Sequence, residues 1–171
     1  MRVLVPAERI RERVREMGAE IGRDYPEGVL LVAILKGACF FLADLARAIA
    51  GPVRIDFIGI SSYGRGKTSS GEVKLAKDLD TAIDGVDVLV VEDIVDSGIT
   101  LNYLMEVLRQ RRPRSLRIAA LLDKPERRVR PVEVAYVGFQ IPDEFVVGYG
   151  LDYAEQYRNL PDVRVLEGAA K

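Results

Sequence analysis

A carboxylate at the end of an apolar run is costly unless water, a donor or a cation satisfies it. Residues 88–101, VLVVEDIVDSGITL, carry three such groups: Glu92, Asp93 and Asp96. Ser97, Gly98 and Thr100 follow at once and open a segment with helical spacing. The first N–H groups of a helix lack intrahelical partners, so with two hydroxyls beside them they suit a phosphate monoester. Gly98 lets the backbone approach such a group closely. A plainer alternative is that Asp96 or Ser97 caps the helix. The Glu92–Asp93 pair favours a ligand, because the neighbouring hydroxyls of a ribose, or a magnesium ion, would satisfy both acids. The chain contains no histidine, which excludes Ser-His-Asp and Cys-His catalysis. Any general acid or base is therefore Asp, Glu, Lys or Tyr.

Elements that could position these groups are readable along the chain. Ile10, Val14, Met17 and Ile21 form one apolar stripe over Glu8–Asp24, an amphipathic helix. Val29–Leu35, Val53–Ile60, Val86–Val91, Ile118–Leu122 and Val132–Phe139 are apolar runs expected as strands. Helices are expected over 38–49, ended by Gly51-Pro52, and over Thr100–Arg111. Buried runs without alternation, separated by helices, indicate an α/β fold with a mostly parallel twisted sheet flanked by helices. In such sheets ligands bind beyond the carboxyl ends of the strands. Lys36-Gly37, Ser61–Tyr63, Glu92–Thr100 and Asp123-Lys124 each follow a strand and are expected to converge there. Residues 61–71, SSYGRGKTSSG, are expected as an exposed, mobile loop. The Gly66-Lys67-Thr68 within it is not the end of a P-loop: the earlier glycine would fall at Ser61, and no helical segment follows.

The chain's 171 residues suffice for one domain with a substantial core. Neither a membrane-span-length apolar stretch nor a signal-peptide pattern is present, so a cytoplasmic location is expected. Cys39 is the only cysteine; it excludes an intramolecular disulfide and is expected as a small core residue. A formal charge of −1 argues against general coating of nucleic acid, despite basic clusters at 109–117 and 127–130.

The segment VVEDIVDSGITL resembles the phosphoribosyl-diphosphate motif of the type I phosphoribosyltransferases. ILKG at 34–37, SSYG at 61–64, LLDKP at 121–125 and DEFVVGYGLDYAEQYRNLP at 143–161 extend the resemblance over nearly the whole chain. Together they are similar to the bacterial hypoxanthine-guanine phosphoribosyltransferases. The resemblance implies a single domain over 1–171, with a core of about 25–145 under a small hood from about 1–24 and 146–171. It implies transfer of 5-phosphoribosyl from its 1-diphosphate to hypoxanthine or guanine, with Mg2+ as cofactor.

Roles follow from the same resemblance. Glu92 and Asp93 face the ribose hydroxyls, directly or through magnesium. Asp96 is the general base for the purine proton, and Ser97, Gly98, Ile99 and Thr100 wrap the 5′-phosphate; the family often has a lysine where this chain has Ile99. Lys36 and Gly37 meet the diphosphate, in a loop where the family has a cis peptide before the lysine, and Arg158 pairs with it. Lys124 donates to the purine 6-oxo group, Phe145 stacks on the ring, and the Val146 backbone meets its edge. Asp152 lies at the purine and helps hold the second magnesium. Ser62 and Tyr63 belong to a lid. A homodimer or homotetramer is implied, with the Lys36 loop near an interface. Two other readings remain: a nucleic-acid-binding regulator on this fold, supported by the Arg109–Arg117 cluster, and an enzyme for another base such as xanthine or uracil.

Overall fold

In a computed structural model, residues 1–62 and 73–169 are described. Their central element is a sheet of order β4-β3-β2-β5-β6-β7. It is built from β2 (Val29–Leu35), β3 (Val53–Ser62), β4 (Val73–Lys77), β5 (Asp87–Val95), β6 (Ser115–Asp123) and β7 (Tyr136–Gln140). All neighbours pair in parallel except β3 with β4. The expected α/β class and mostly parallel sheet are therefore observed.

The runs lack alternation because both faces are covered. Leu31, Ala33, Leu89, Val91, Ala119 and Leu121 point to one face, where α1 (Ala7–Asp24) and α2 (Cys39–Ala48) close a core through Met17, Ile21, Phe41 and Leu45. Leu30, Val32, Val88, Val90, Ile118 and Ala120 point to the other, under Leu104 and Leu108 of α3 (Ile99–Arg109). The chain ends add a second sheet of order β1-β9-β8, from β1 (Arg2–Val5), β8 (Val146–Val147) and β9 (Val163–Val165). Among the described residues no helix is long and apolar enough to cross a membrane.

Several expectations need correction. Cys39 is exposed, not a core residue. The buried face of α2 is set by Phe41, Leu42 and Leu45, and position 39 falls outside that stripe. The strand expected at Val132–Phe139 begins only at Tyr136, because Val132 and Val134 pack as irregular chain against the second core. The polar segment after Ile60 does not begin as a loop: Ser61 and Ser62 continue β3 and pair with β4, an unforeseen strand. Tyr63 and the rest of the expected lid through Gly71 lie outside the described residues. Glu92 and Asp93 do not follow their strand. They lie inside it, since β5 pairs with β6 through Val95↔Asp123.

Candidate active site

The strand order changes direction between β2 and β5: β2 leads on to β3 on one side, and β5 to β6 on the other. This is the topological switch point at which open α/β sheets bind ligands, beyond the carboxyl ends of the strands. The ends of these two strands carry Leu35-Lys36-Gly37 and Glu92–Asp96. The Leu35–Lys36 peptide is cis. Gly37 sits so close to β5 that a Cβ there would lie 1.8 Å from Asp93 Oδ2. Any larger residue would push that carboxylate away.

Glu92 and Asp93 are held as a crowded pair. The Asp93 N–H donates to Glu92 Oε1 at 2.9 Å, and the Ile94 N–H to Asp93 Oδ1 at 2.7 Å. Burial pushes the Glu92 carboxyl well above the ordinary glutamate value, and the adjacent Asp93 charge pushes it further. Burial also raises Asp93, against the opposing pull of Glu92 and backbone hydrogen bonds and, more weakly, of the Arg158 charge.

Beyond β5 the chain turns through Asp96-Ser97-Gly98 into α3. Gly98 is the residue before the helix, with φ of 79°, and as a glycine it offers no side-chain cap. A Cβ on Gly98 would meet the Arg130 carbonyl at 2.5 Å, so both conformation and space demand glycine. The simple-cap alternative keeps only a long hydrogen bond, from the Ile99 N–H to Ser97 Oγ at 3.4 Å, and none to Asp96. The Asp96 carboxylate instead accepts the Ser97 N–H at 2.6 Å. A cavity of about 80 Å³ is lined by Ile34, Ile60, Glu92, Asp96, Ser97, Gly98 and Thr100.

A second cavity, about 290 Å³, adjoins this turn and is lined by Ile94, Asp96, Lys124, Phe145, Val146 and Asp152, among others. Lys124 enters from the end of β6, its N–H donating to the Val95 carbonyl at 2.9 Å. Phe145 is half-buried and meets Tyr153 edge to face, with ring centroids 5.7 Å apart. Asp96 and Ile94 border both cavities. Arg158 donates to the Gly150 carbonyl at 2.7 Å and lies 3.3 Å from Asp152 Oδ1. A larger cavity of about 450 Å³ lies between α1, α2 and the C-terminal segment. It has neither the acidic pair nor the helix-start turn, so size alone does not mark the site.

Ser62 ends β3 on the same side of the sheet; Tyr63 lies outside the described residues. The structure adds a residue that sequence reasoning did not single out. Arg128 pairs with the buried Asp123 carboxylate and donates to the Asp96 carbonyl at 3.0 Å, tying the ends of β6 and β5 together. Its position inside a basic cluster hid this, because nothing local tells a clamping arginine from a solvated one.

These parts define a class: an α/β protein whose switch point joins an acidic strand end to a glycine-led helix start. The model of the phosphoribosyl transferase domain matches residues 5–154. A hypoxanthine-guanine phosphoribosyltransferase of Bacillus subtilis is 50% identical, covering 98% of this chain and 94% of its own. That of Mycobacterium tuberculosis is 52% identical, covering 96% and 85%. A crystal structure of a Bacillus anthracis hypoxanthine-guanine phosphoribosyltransferase, with HEPES in its active site, superposes with a TM-score of 0.93 at 48% identity. It covers 97% of this chain and 98% of that one. The chain belongs to the phosphoribosyl transferase family and, within it, to the hypoxanthine-guanine phosphoribosyltransferases of purine salvage.

Proposed function

We propose that this enzyme transfers the phosphoribosyl group of 5-phosphoribosyl 1-diphosphate to hypoxanthine or guanine, with Asp96 as general base. The observation that carries the reading is the place of Asp96, on the wall shared by the helix-start cavity and the Phe145–Lys124 cavity. A sugar phosphate anchored at Ser97–Thr100 would present its reacting carbon toward a base held against Phe145. Backbone N–H groups at the start of α3 and the Ser97 and Thr100 hydroxyls hold the 5′-phosphate, and Ile99 leaves that binding to them. Glu92 and Asp93 take the ribose hydroxyls. Lys36, the Gly37 backbone and Arg158 hold the diphosphate. Lys124 has donors only, so it selects a 6-oxo group over an amino group, while Phe145 stacks on the ring and the Val146 backbone meets its edge. Asp96 accepts the purine proton as the bond to carbon forms and diphosphate departs with its electron pair. Ser62 and Tyr63 help exclude water from the reacting carbon.

The donor set fits magnesium. Glu92 and Asp93 are hard oxygen donors whose crowding an added cation would relieve, and Asp152 is a third carboxylate at the site. No group of three or more potential ligands clusters among the described residues. Magnesium suits such a site, since it commonly takes one or two carboxylates and completes its shell with water and substrate phosphates. Bound there, Mg2+ would neutralise charge on the diphosphate.

The regulator reading loses its main support from side-chain pairing. Arg111 forms a two-pronged pair with Asp78 at 2.7 and 2.9 Å, and Arg109 and Arg114 pair with Glu106 and Asp87. Arg117 lies over the Tyr136 ring, 4.9 Å from its centre. The cluster is thus largely neutralised by its own fold. A homo-oligomer in the cytoplasm remains part of the proposal. The test is incubation with magnesium, phosphoribosyl diphosphate and each purine, or uracil, in turn, following nucleotide formation. IMP or GMP is the expected product; exclusive formation of XMP or UMP would redirect the specificity assignment.

A further inference from the structure

The two cations assigned above to diphosphate are not idle. Lys36 Nζ donates to Glu155 Oε2 at 3.0 Å, and Arg158 donates to Glu155 Oε1 at 3.1 Å. One carboxylate therefore spans both groups, with one oxygen on each. The proposed diphosphate site is bridged by an anion that belongs to the protein. The Arg158 Nε is buried with no hydrogen-bond partner among the described residues, so this arrangement does not satisfy the guanidinium fully.

The backbone that presents Glu155 is unusual. Tyr153 and Gln156 exchange both backbone hydrogen bonds, at 3.1 and 3.0 Å, around Ala154 and Glu155. Both central residues have positive φ, 51° and 65°. That is the two-residue reversal normally made by Asn-Gly, and side chains of Ala and Glu enter it at a steric disadvantage. The Glu155 N–H is fixed by Asp152 Oδ2 at 2.8 Å. A strained turn that carries a carboxylate to two cations suggests that the carboxylate has work to do. Lys36 and then Arg158 hold the Glu155 carboxyl below the ordinary glutamate value, so it is ionised at neutral pH.

We infer that Glu155 is a positioning residue that holds Lys36 and Arg158 in place of diphosphate and competes with diphosphate for them. In the empty enzyme it keeps both cations converged. When the donor binds, the diphosphate takes over the cations. When diphosphate leaves, Glu155 returns to them and opposes rebinding. The inference rests on the assignment of Lys36 and Arg158 to diphosphate.

Glu155→Gln keeps the size of the side chain and the N–H bond to Asp152 but removes the charge. Calorimetric titration with inorganic diphosphate and Mg2+ at low salt is expected to show affinity about two- to tenfold tighter than wild type, the scale of two exposed ion pairs. The KM for phosphoribosyl diphosphate is expected to fall while that for the purine stays unchanged. Salt is expected to narrow the gap, because exposed charges are screened. Unchanged or weaker affinity in Glu155→Gln would overturn the inference. Arg158→Gln separates the two levels of the argument. If it fails to weaken diphosphate binding, the diphosphate assignment itself falls; if it weakens binding while Glu155→Gln does not tighten it, only the role of Glu155 falls.

Discussion

Asp56 and the Glu92–Asp93 pair are acids in the same sheet, and they are treated in opposite ways. Asp56, on β3, is only 4% exposed. It accepts N–H bonds from Phe57 at 2.8 Å, Asp80 at 2.9 Å and Thr81 at 3.3 Å, with Lys77 at 3.8 Å. Burial alone would raise its carboxyl, but these donors outweigh burial and hold it below the ordinary aspartate value. Glu92 and Asp93 are half-buried with fewer donors, and desolvation raises both, Glu92 further through the Asp93 charge. A buried acid that the fold satisfies is a structural part. A pair that the fold leaves crowded is held for something that arrives later.

Three substitutions sharpen that contrast, the strongest first. Asp96 is exposed beside the crowded pair, and Asp96→Asn is expected to lower turnover by about 10²–10⁴-fold, the usual scale of lost general-base catalysis. Binding of the donor and the melting temperature should barely move, which single-turnover kinetics and a thermal melt would check. Full turnover, with chemistry rate-limiting, would remove Asp96 from the mechanism.

Asp56→Ala is expected to do the reverse. It strands the buried N–H donors and should cost about 3 kcal/mol of stability. The kcat of the folded fraction should hold, and chemical denaturation alongside activity would measure both. The pH dependence has a definite sign. A carboxyl depressed in the folded state contributes stability above its unfolded pKa, about 3.9, and loses it as pH falls through the folded value. The gap between wild type and Asp56→Ala should therefore shrink in acid.

Glu92→Gln is expected to change stability less than Asp56→Ala and with the opposite sign, a gain of about 1 kcal/mol from relieved crowding, with a higher KM for the donor. A melting temperature that drops as it does for Asp56→Ala would mean the pair is structural after all.

The legibility of these features followed their locality. The helix-start turn, Lys36-Gly37 and the Glu92–Asp93–Asp96 acids were readable because each lies within a few residues of a strand end. Tertiary contacts are what separated Arg128 from its basic neighbours. Glu155 had no readable signal either, since its partners include Lys36, far away in the chain, and its turn carries Ala-Glu where Asn-Gly would have announced it. Cys39 was misplaced because a small apolar residue fits a core or a surface equally well until the buried stripe of α2 is known.

Residue types and spacing alone determined the α/β class, the runs that become β2, β3, β5 and β6, and the chemistry available in a chain without histidine. Apolar runs must be buried and turns need particular backbones, and both demands act over a few residues. Tertiary structure alone decided that Asp56 is satisfied while Glu92 and Asp93 stay crowded. It also decided that Asp96 stands between two cavities and that Glu155 bridges Lys36 and Arg158. Those outcomes depend on which donors and charges meet across the fold, and electrostatic energy is set by distance in space rather than by separation along the chain.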